Sequence, residues 1–172
     1  MNIPFSPPDI GEAEIAEVTD TLRSGWITTG PKTKKFEKLI KEYTGAAGCA
    51  CLNSQTACGE MTLRLLGVGE GDEVIVPAYT YTATASVVCH VGATLKMVDV
   101  KPGTLEMDRE KLEAAVTDKT KVIIPVDVAG IMCDYDSIYE IVERKKALFT
   151  PENDIQKAFG RIIVMADGAH SL

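Results

Sequence analysis

The sequence is poor in histidine, tryptophan and paired cysteine. Among its 172 residues are two histidines, His90 and His170, one tryptophan, Trp26, and five cysteines. Two histidines without ligand-like spacing give no basis for a structural zinc site. Cys49, Cys51, Cys58, Cys89 and Cys133 are odd in number, form no C-x-x-C, and mostly sit inside apolar runs. They read as small buried hydrophobes of a reducing cytoplasm, not as a disulfide framework. Basic charge is also scarce: 18 Lys and Arg face 25 Asp and Glu, a net charge of −7. That excludes a nucleic-acid surface, which needs a clustered basic excess. The one basic cluster, Lys32, Lys34, Lys35, Lys38 and Lys41, has the spacing of the wet face of an amphipathic helix. Phe36, Leu39, Ile40 and Tyr43 would fill its other face. No apolar run is long enough to span a membrane, and Met1–Pro8 has neither the basic start nor the apolar stretch of a signal peptide.

What remains is an ordinary globular composition, 45% hydrophobic and 25% charged. A chain of this length suits one compact fold that buries roughly 70% of its unfolded surface. Its periodicity alternates. Short apolar runs at Gly48–Leu52, Glu73–Val76, Thr94–Val98, Lys121–Val126 and Arg161–Ala166 predict strands. Between or before them lie helical stripes: Ile15, Val18 and Leu22; Phe36 to Tyr43; Cys58, Met61, Leu65 and Leu66; Ala83, Val87, Val88 and Val91. Leu112, Ala115 and Val116 follow an Asp108 cap, and Ile138, Ile141 and Val142 follow Asp134 and Asp136. Glycine closes several of these helices, as a left-handed C′ residue does. Nearly all-apolar strands alternating with helices predict an α/β fold, a three-layer, mostly parallel sheet with helices on both faces. The first two helices precede any strand, so residues 1–45 are expected to form a helical flank and 46–172 the α/β part. Leu148–Lys157 is polar and contains a proline, which predicts a surface excursion. Gly67-Val68-Gly69-Glu70-Gly71 lacks dinucleotide-loop spacing and leads from helix to strand, so it is a turn.

Three strand ends carry chemistry. After Leu52 come Asn53, Ser54, Gln55 and Thr56, small or polar residues that open a helix. Amides at a helix N-terminus bind phosphate, although such residues also serve as plain caps. After Val76 comes Pro77-Ala78-Tyr79-Thr80-Tyr81-Thr82-Ala83-Thr84, where an aromatic ring either stacks on a planar ligand or fills core. After the last apolar run stands Asp167, which either caps a following helix or meets a ligand beyond the carboxyl edge of the sheet. A phosphate cradle, a stacking ring and an anion able to hold a heteroaromatic nitrogen protonated are together what pyridoxal phosphate requires.

The residues carrying these features form a longer pattern. It runs through Ser24-Gly25-Trp26-Ile27-Thr28-Thr29-Gly30-Pro31, Leu52–Ala57, Gly69–Pro77, Tyr79–Thr84, Gly92-Ala93-Thr94, Val98-Asp99-Val100 and Asp167–Leu172. The pattern resembles the DegT/StrS family of PLP-dependent nucleotide-sugar aminotransferases, which have the type I aminotransferase fold. The resemblance implies that Ser54, Gln55 and Thr56 hold the phosphate of pyridoxal 5'-phosphate, that Tyr81 stacks on its ring, and that Asp167 pairs with its ring nitrogen. It places His170 near the phenolic oxygen, and Trp26, Thr28 and Thr29 on the substrate side. Gln55 stands where a smaller residue is usual, and Gly168 where Ala or Cys is usual. The Schiff-base lysine is expected after the aspartate motif, beyond Leu172, so residues 1–172 would be a truncated and inactive large domain. The implied partners are a nucleotide sugar and an amino-acid donor, glutamate, in a cytoplasmic homodimer, with neither nucleic acid nor membrane. Two alternatives remain: a PLP-dependent sugar dehydratase of the same family, with histidine in place of that lysine, or a non-catalytic binding or regulatory module.

Overall fold

The computed structural model describes residues 7–171. The signal-peptide expectation for the first six residues lies outside them. The chain divides into two compact units, Met1–Cys51 and Leu52–Leu172.

The first unit holds α1 (Glu12–Ser24) and α2 (Pro31–Thr44). At the start of α1 the Glu14 carboxylate accepts from the Gly11 amide at 2.7 Å. Pro31 opens α2, where its missing N–H would have had no helical partner. The apolar stripes fall where periodicity predicted, but no residue of either helix is buried. Phe36, Leu39 and Tyr43 are exposed, so they do not form the expected packed face. Two helices alone have too little apolar surface to enclose their own stripes. Residues 48–52, expected as a strand, adopt no regular structure. Instead the Cys51 amide donates to Glu37 Oε1 at 3.0 Å, tying this segment to α2. A strand needs a ladder partner for its N–H and C=O groups, and this run finds none among the described residues.

The second unit runs α3 (Gln55–Leu65), β1 (Glu73–Pro77), α4 (Thr82–His90), β2 (Thr94–Val98), α5 (Arg109–Ala115), β3 (Thr120–Ile123), α6 (Tyr135–Arg144), α7 (Asp154–Phe159) and β4 (Ile163–Val164). The strands form one parallel sheet in the order β2-β1-β3-β4. Alternation along the strands divides the core in two. Val74, Val76, Val122 and Ile163 pack with Leu63 of α3 and Val87 of α4. Ile75, Ile123 and Ile162 pack with Leu112 of α5 and Ile138 and Ile141 of α6. Both faces are therefore covered, which explains the consecutive buried Val74, Ile75 and Val76 of β1 and Val122 and Ile123 of β3. Asp108 and Asp134 cap α5 and α6 with their side chains, as their positions predicted. β3 and β4 are shorter than their apolar runs. Pro125 has no N–H to continue the ladder, and pairing resumes only as a bridge between Val126 and Asp167.

Two other expectations change. Of the five cysteines only Cys133 is buried, and Cys89 is exposed. Leu148–Lys157 is more than a surface excursion, because it includes most of α7 and anchors it to the body of the unit. Gln156 is 0% exposed. Its amide donates to Leu66 O at 2.9 Å, and its Oε1 accepts from the Glu152 amide at 3.0 Å. Asn153 also donates to Leu66 O at 2.9 Å. Gly67 lies against that contact: a Cβ there would sit 2.4 Å from Asn153 Nδ2 on a backbone of φ +71°. Gln156→Ala strands the Glu152 amide and opens a void. It is expected to lower stability by about 1–3 kcal/mol, seen in urea as a lower midpoint with unchanged slope.

Candidate active site

The order of the sheet reverses at β1. The chain passes from β1 through α4 to β2, then returns through α5 to the other side of β1 as β3. Loops leaving β1 and β3 therefore diverge, and the crevice beyond such a switch point is the usual ligand site of an open α/β sheet. A cavity of about 520 Å³ lies there, within the range of small-molecule sites.

Each wall comes from a predicted strand end or helix start. Gln55 and Thr56, from the first turn of α3, line one side. Ser54 does not line the cavity; as N-cap its Oγ accepts from the Ala57 amide at 3.1 Å. Tyr79, Thr80 and Tyr81 line the cavity from the loop after β1. Tyr81 is 80% exposed and holds extended backbone just ahead of α4. Asp167 and His170 complete the wall from the loop after β4. Gln55, Thr56, Tyr81, Asp167 and His170 are thus brought together. Asp167 is the one carboxylate among the lining residues, which include no lysine or arginine among those described. Lys96 pairs with Glu73, and Lys121 with Asp72 and Glu152, so neither lines the cavity.

Asp167 caps no helix. It is buried, and Thr84 Oγ1 donates to its Oδ2 at 2.8 Å while the Ala169 amide donates to Oδ1 at 3.2 Å. Thr84 is 2% exposed, with its Oγ1 3.0 Å from Thr80 Oγ1. Two donors from opposite sides fix the plane of the carboxylate. The quoted motif contains Thr84, but its contact with Asp167 spans 83 residues and carries no local signal.

A second carboxylate, Asp127, supports the loop without lining the cavity. Its Oδ1 accepts from the Cys133 amide and the Tyr135 hydroxyl, each at 2.9 Å, and its Oδ2 from Ser171 Oγ at 2.9 Å. Burial, and then Asp127 nearby, push the Cys133 thiol up to about 11; it is no thiolate nucleophile. Burial and the bond to Asp127 also raise the Tyr135 phenol above its ordinary value. After Asp127 the chain makes a tight turn in which Ala129 has φ +56°, the one non-glycine residue with positive φ among those described. That conformation costs an L-residue roughly 1–2 kcal/mol.

Trp26, Thr28 and Thr29 line a cavity of about 640 Å³ within the first unit. Trp26 Nε1 donates to Thr29 O at 3.1 Å, folding the indole over Gly30. A Cβ on Gly30 would come within 2.3 Å of the ring, so only glycine fits beneath it.

The DegT/DnrJ/EryC1/StrS aminotransferase family matches residues 8–161. The chain is 44% identical over 141 residues to the spore coat polysaccharide biosynthesis protein SpsC of Bacillus subtilis, covering 82% of this chain and 36% of that protein. It is 41% identical over 170 residues to the UDP-4-amino-4-deoxy-L-arabinose–oxoglutarate aminotransferase of Shewanella sediminis, covering 99% of this chain and 40% of that one. Its fold superposes on the PLP-form of Spr1654 from Streptococcus pneumoniae, classed among sugar aminotransferases, with a TM-score of 0.98 and 61% identity. That match covers 100% of this chain and 44% of the other. The chain thus spans about two-fifths of the length of these relatives. With its parallel sheet, its cavity at the switch point and this match along most of its length, the chain belongs to the DegT/DnrJ/EryC1/StrS aminotransferase family.

Proposed function

We propose that this chain is the cofactor-binding part of a PLP-dependent sugar aminotransferase, which moves an amino group from an amino-acid donor, glutamate, to a keto-sugar nucleotide. The observation that carries the reading is the meeting of Gln55, Thr56, Tyr81, Asp167 and His170 around one cavity. When bound, pyridoxal phosphate supplies an electron sink and a carrier for the amino group. The residues present fit it. Asp167 sets a buried, doubly anchored carboxylate where a ring nitrogen would be held protonated. Tyr81 offers a ring to cover one face. Thr56 offers a hydroxyl, and with Gln55 it lies at the positive end of the α3 dipole, suited to a phosphate. Ser54 contributes by capping that helix, and its own contact to phosphate remains part of the proposal. His170 is placed to hold a ring oxygen. Trp26, Thr28 and Thr29 are proposed as substrate contacts.

Among the described residues no lysine lines the cavity. The free thiols of Cys49, Cys58, Cys89 and Cys133 support a reducing cytoplasm, and the exposed apolar stripes of α1 and α2 support association as a homodimer. Among the described residues no helix is long and apolar enough to cross a membrane. The test is an assay of the full-length protein with glutamate and a panel of keto-sugar nucleotides. Appearance of 2-oxoglutarate with an aminated sugar is expected. Loss of water from the sugar without consumption of glutamate would identify the dehydratase instead. Failure to take up pyridoxal phosphate would leave a non-catalytic module.

A further inference from the structure

The turn after β3 and the loop after β4 meet at more points than backbone pairing requires. The Asp127 amide donates to Asp167 O at 3.1 Å, and the Asp127 carboxylate accepts from Ser171. Between these two contacts the Ala129 amide donates to His170 Nδ1 at 3.0 Å. A Cβ on Gly130 would lie 3.1 Å from His170 O. The turn is closed by bonds from Gly130 N to Asp127 O and from Ile131 N to Val128 O, each at 3.1 Å. Ala129 keeps its left-handed backbone inside this frame, and strain of that kind persists only where the surroundings over-determine it.

We propose that the Asp127–Gly130 turn is a positioning element for His170, holding the neutral imidazole as its Nε2–H tautomer so that it donates a hydrogen bond to an oxygen of the ligand in the cavity. A neutral imidazole has one donor and one acceptor nitrogen. Nδ1 accepts from Ala129, so the proton sits on Nε2, which has no hydrogen-bond partner among the described residues. The other tautomer would set two N–H groups against each other and forfeit this bond. The discrimination is set by the backbone, so it depends on the αL turn and on no second side chain. Asp127 acts through the loop: it grips Ser171 on one side of His170 and, through its amide, Asp167 on the other. The donor role toward the ligand rests on the cofactor reading above, whereas the tautomer does not.

Because the chain has only His90 and His170, ¹⁵N spectra of the imidazoles settle the tautomer. Two-bond proton–nitrogen correlations are recorded on the labelled chain at mildly alkaline pH, with His90→Gln for assignment. The expected result is an acceptor-type shift for His170 Nδ1 and a protonated-type shift for Nε2, a tautomer ratio of about five to one for a bond of ordinary strength. Ala129→Gly, which keeps the amide and relieves the turn, should retain that ratio. Ala129→Pro, which removes the amide, should bring the shifts toward averaged values. If His170 in the unaltered chain shows averaged shifts or a proton on Nδ1, the proposal is overturned, whether or not the proline variant folds. Adding pyridoxal phosphate then separates the two readings. Perturbed Tyr81 ring signals with an unmoved His170 Nε2–H would overturn the donor role alone. An absence of any change at Tyr81, Asp167 and His170 would overturn the cofactor reading and leave the tautomer standing.

Discussion

Asp167→Asn is expected to weaken binding of pyridoxal phosphate about 10–100-fold while leaving the fold in place. A hydrogen bond between charged partners contributes roughly 1.5–3 kcal/mol, and the carboxylate that would make it is buried and held by Thr84 and Ala169. Asparagine keeps the shape and can still accept from Thr84, so packing changes little. It cannot carry the negative charge that keeps a ring nitrogen protonated, and the pair loses its charge assistance. Thr84→Val tests the support separately: it leaves the charge but removes one of its two anchors, so a smaller loss is expected, restored by Thr84→Ser. Calorimetric titration with the cofactor reads both effects. Undiminished affinity in Asp167→Asn would refute the assignment of Asp167 to the ring nitrogen.

The second large effect lies at the opposite, amino-terminal edge of the sheet. Lys121→Ala is expected to lower stability by about 3–5 kcal/mol, the range for breaking a buried ion pair from one side. Lys121 is 3% exposed. Its Nζ donates to Thr150 O at 2.6 Å, lies 2.8 Å from Glu152 and 3.7 Å from Asp72, and sits over the Phe149 ring. Asp72 is equally buried, and Gly69 donates to it at 3.0 Å. Without Lys121 that carboxylate stays buried with no cation. The double variant Lys121→Ala with Asp72→Asn should recover part of the loss, which a purely steric role for Lys121 would not allow.

The pH dependence has a definite sign. Burial holds the Asp72 carboxyl above its ordinary value, against the pull of Gly69 and Lys121. A carboxyl raised in the folded state contributes stability that is complete below its unfolded value, 3.8, and is lost as pH rises through the folded value. Removing Lys121 raises the folded value further. The deficit of the variant should therefore be largest at neutral pH and narrow on acidification toward 3.8. Denaturant titrations at several pH values measure this, and a deficit that widens on acidification would reject the role given to Asp72.

Period and punctuation made most of the elements legible. α1 to α6 were marked by apolar stripes, with Asp ahead of α5 and α6 and glycine at or just past several ends, all local signals set by backbone geometry. β1, β2 and the cores of β3 and β4 were marked by apolar runs, and β1 shows the reason most plainly, since both of its faces are covered and Val74, Ile75 and Val76 are buried in succession. Residues 48–52 misled because a short apolar run has no signature distinguishing it from a strand; only a ladder partner decides. α7 was missed because its one decisive residue, Gln156, is polar, and its burial depends on a carbonyl 90 residues earlier.

The sequence by itself determined the alternation of helix and strand, the positions of the strand ends, and the residue types delivered there: a tyrosine after β1, an aspartate and a histidine after β4, and a small polar start to α3. These follow from short-range patterning, and the likeness to an aminotransferase family follows from their order. Only the tertiary structure decided which of them meet. It brought Gln55 and Thr56 to the same cavity as Asp167 but kept Ser54 as a cap. It gave Asp167 to Thr84, not to a helix. It also set an αL alanine against His170. The reason is that parallel strands of one sheet are joined through long crossovers, so neighbours at its carboxyl edge are distant in the chain, and hydrogen bonds across that edge leave no mark in local periodicity.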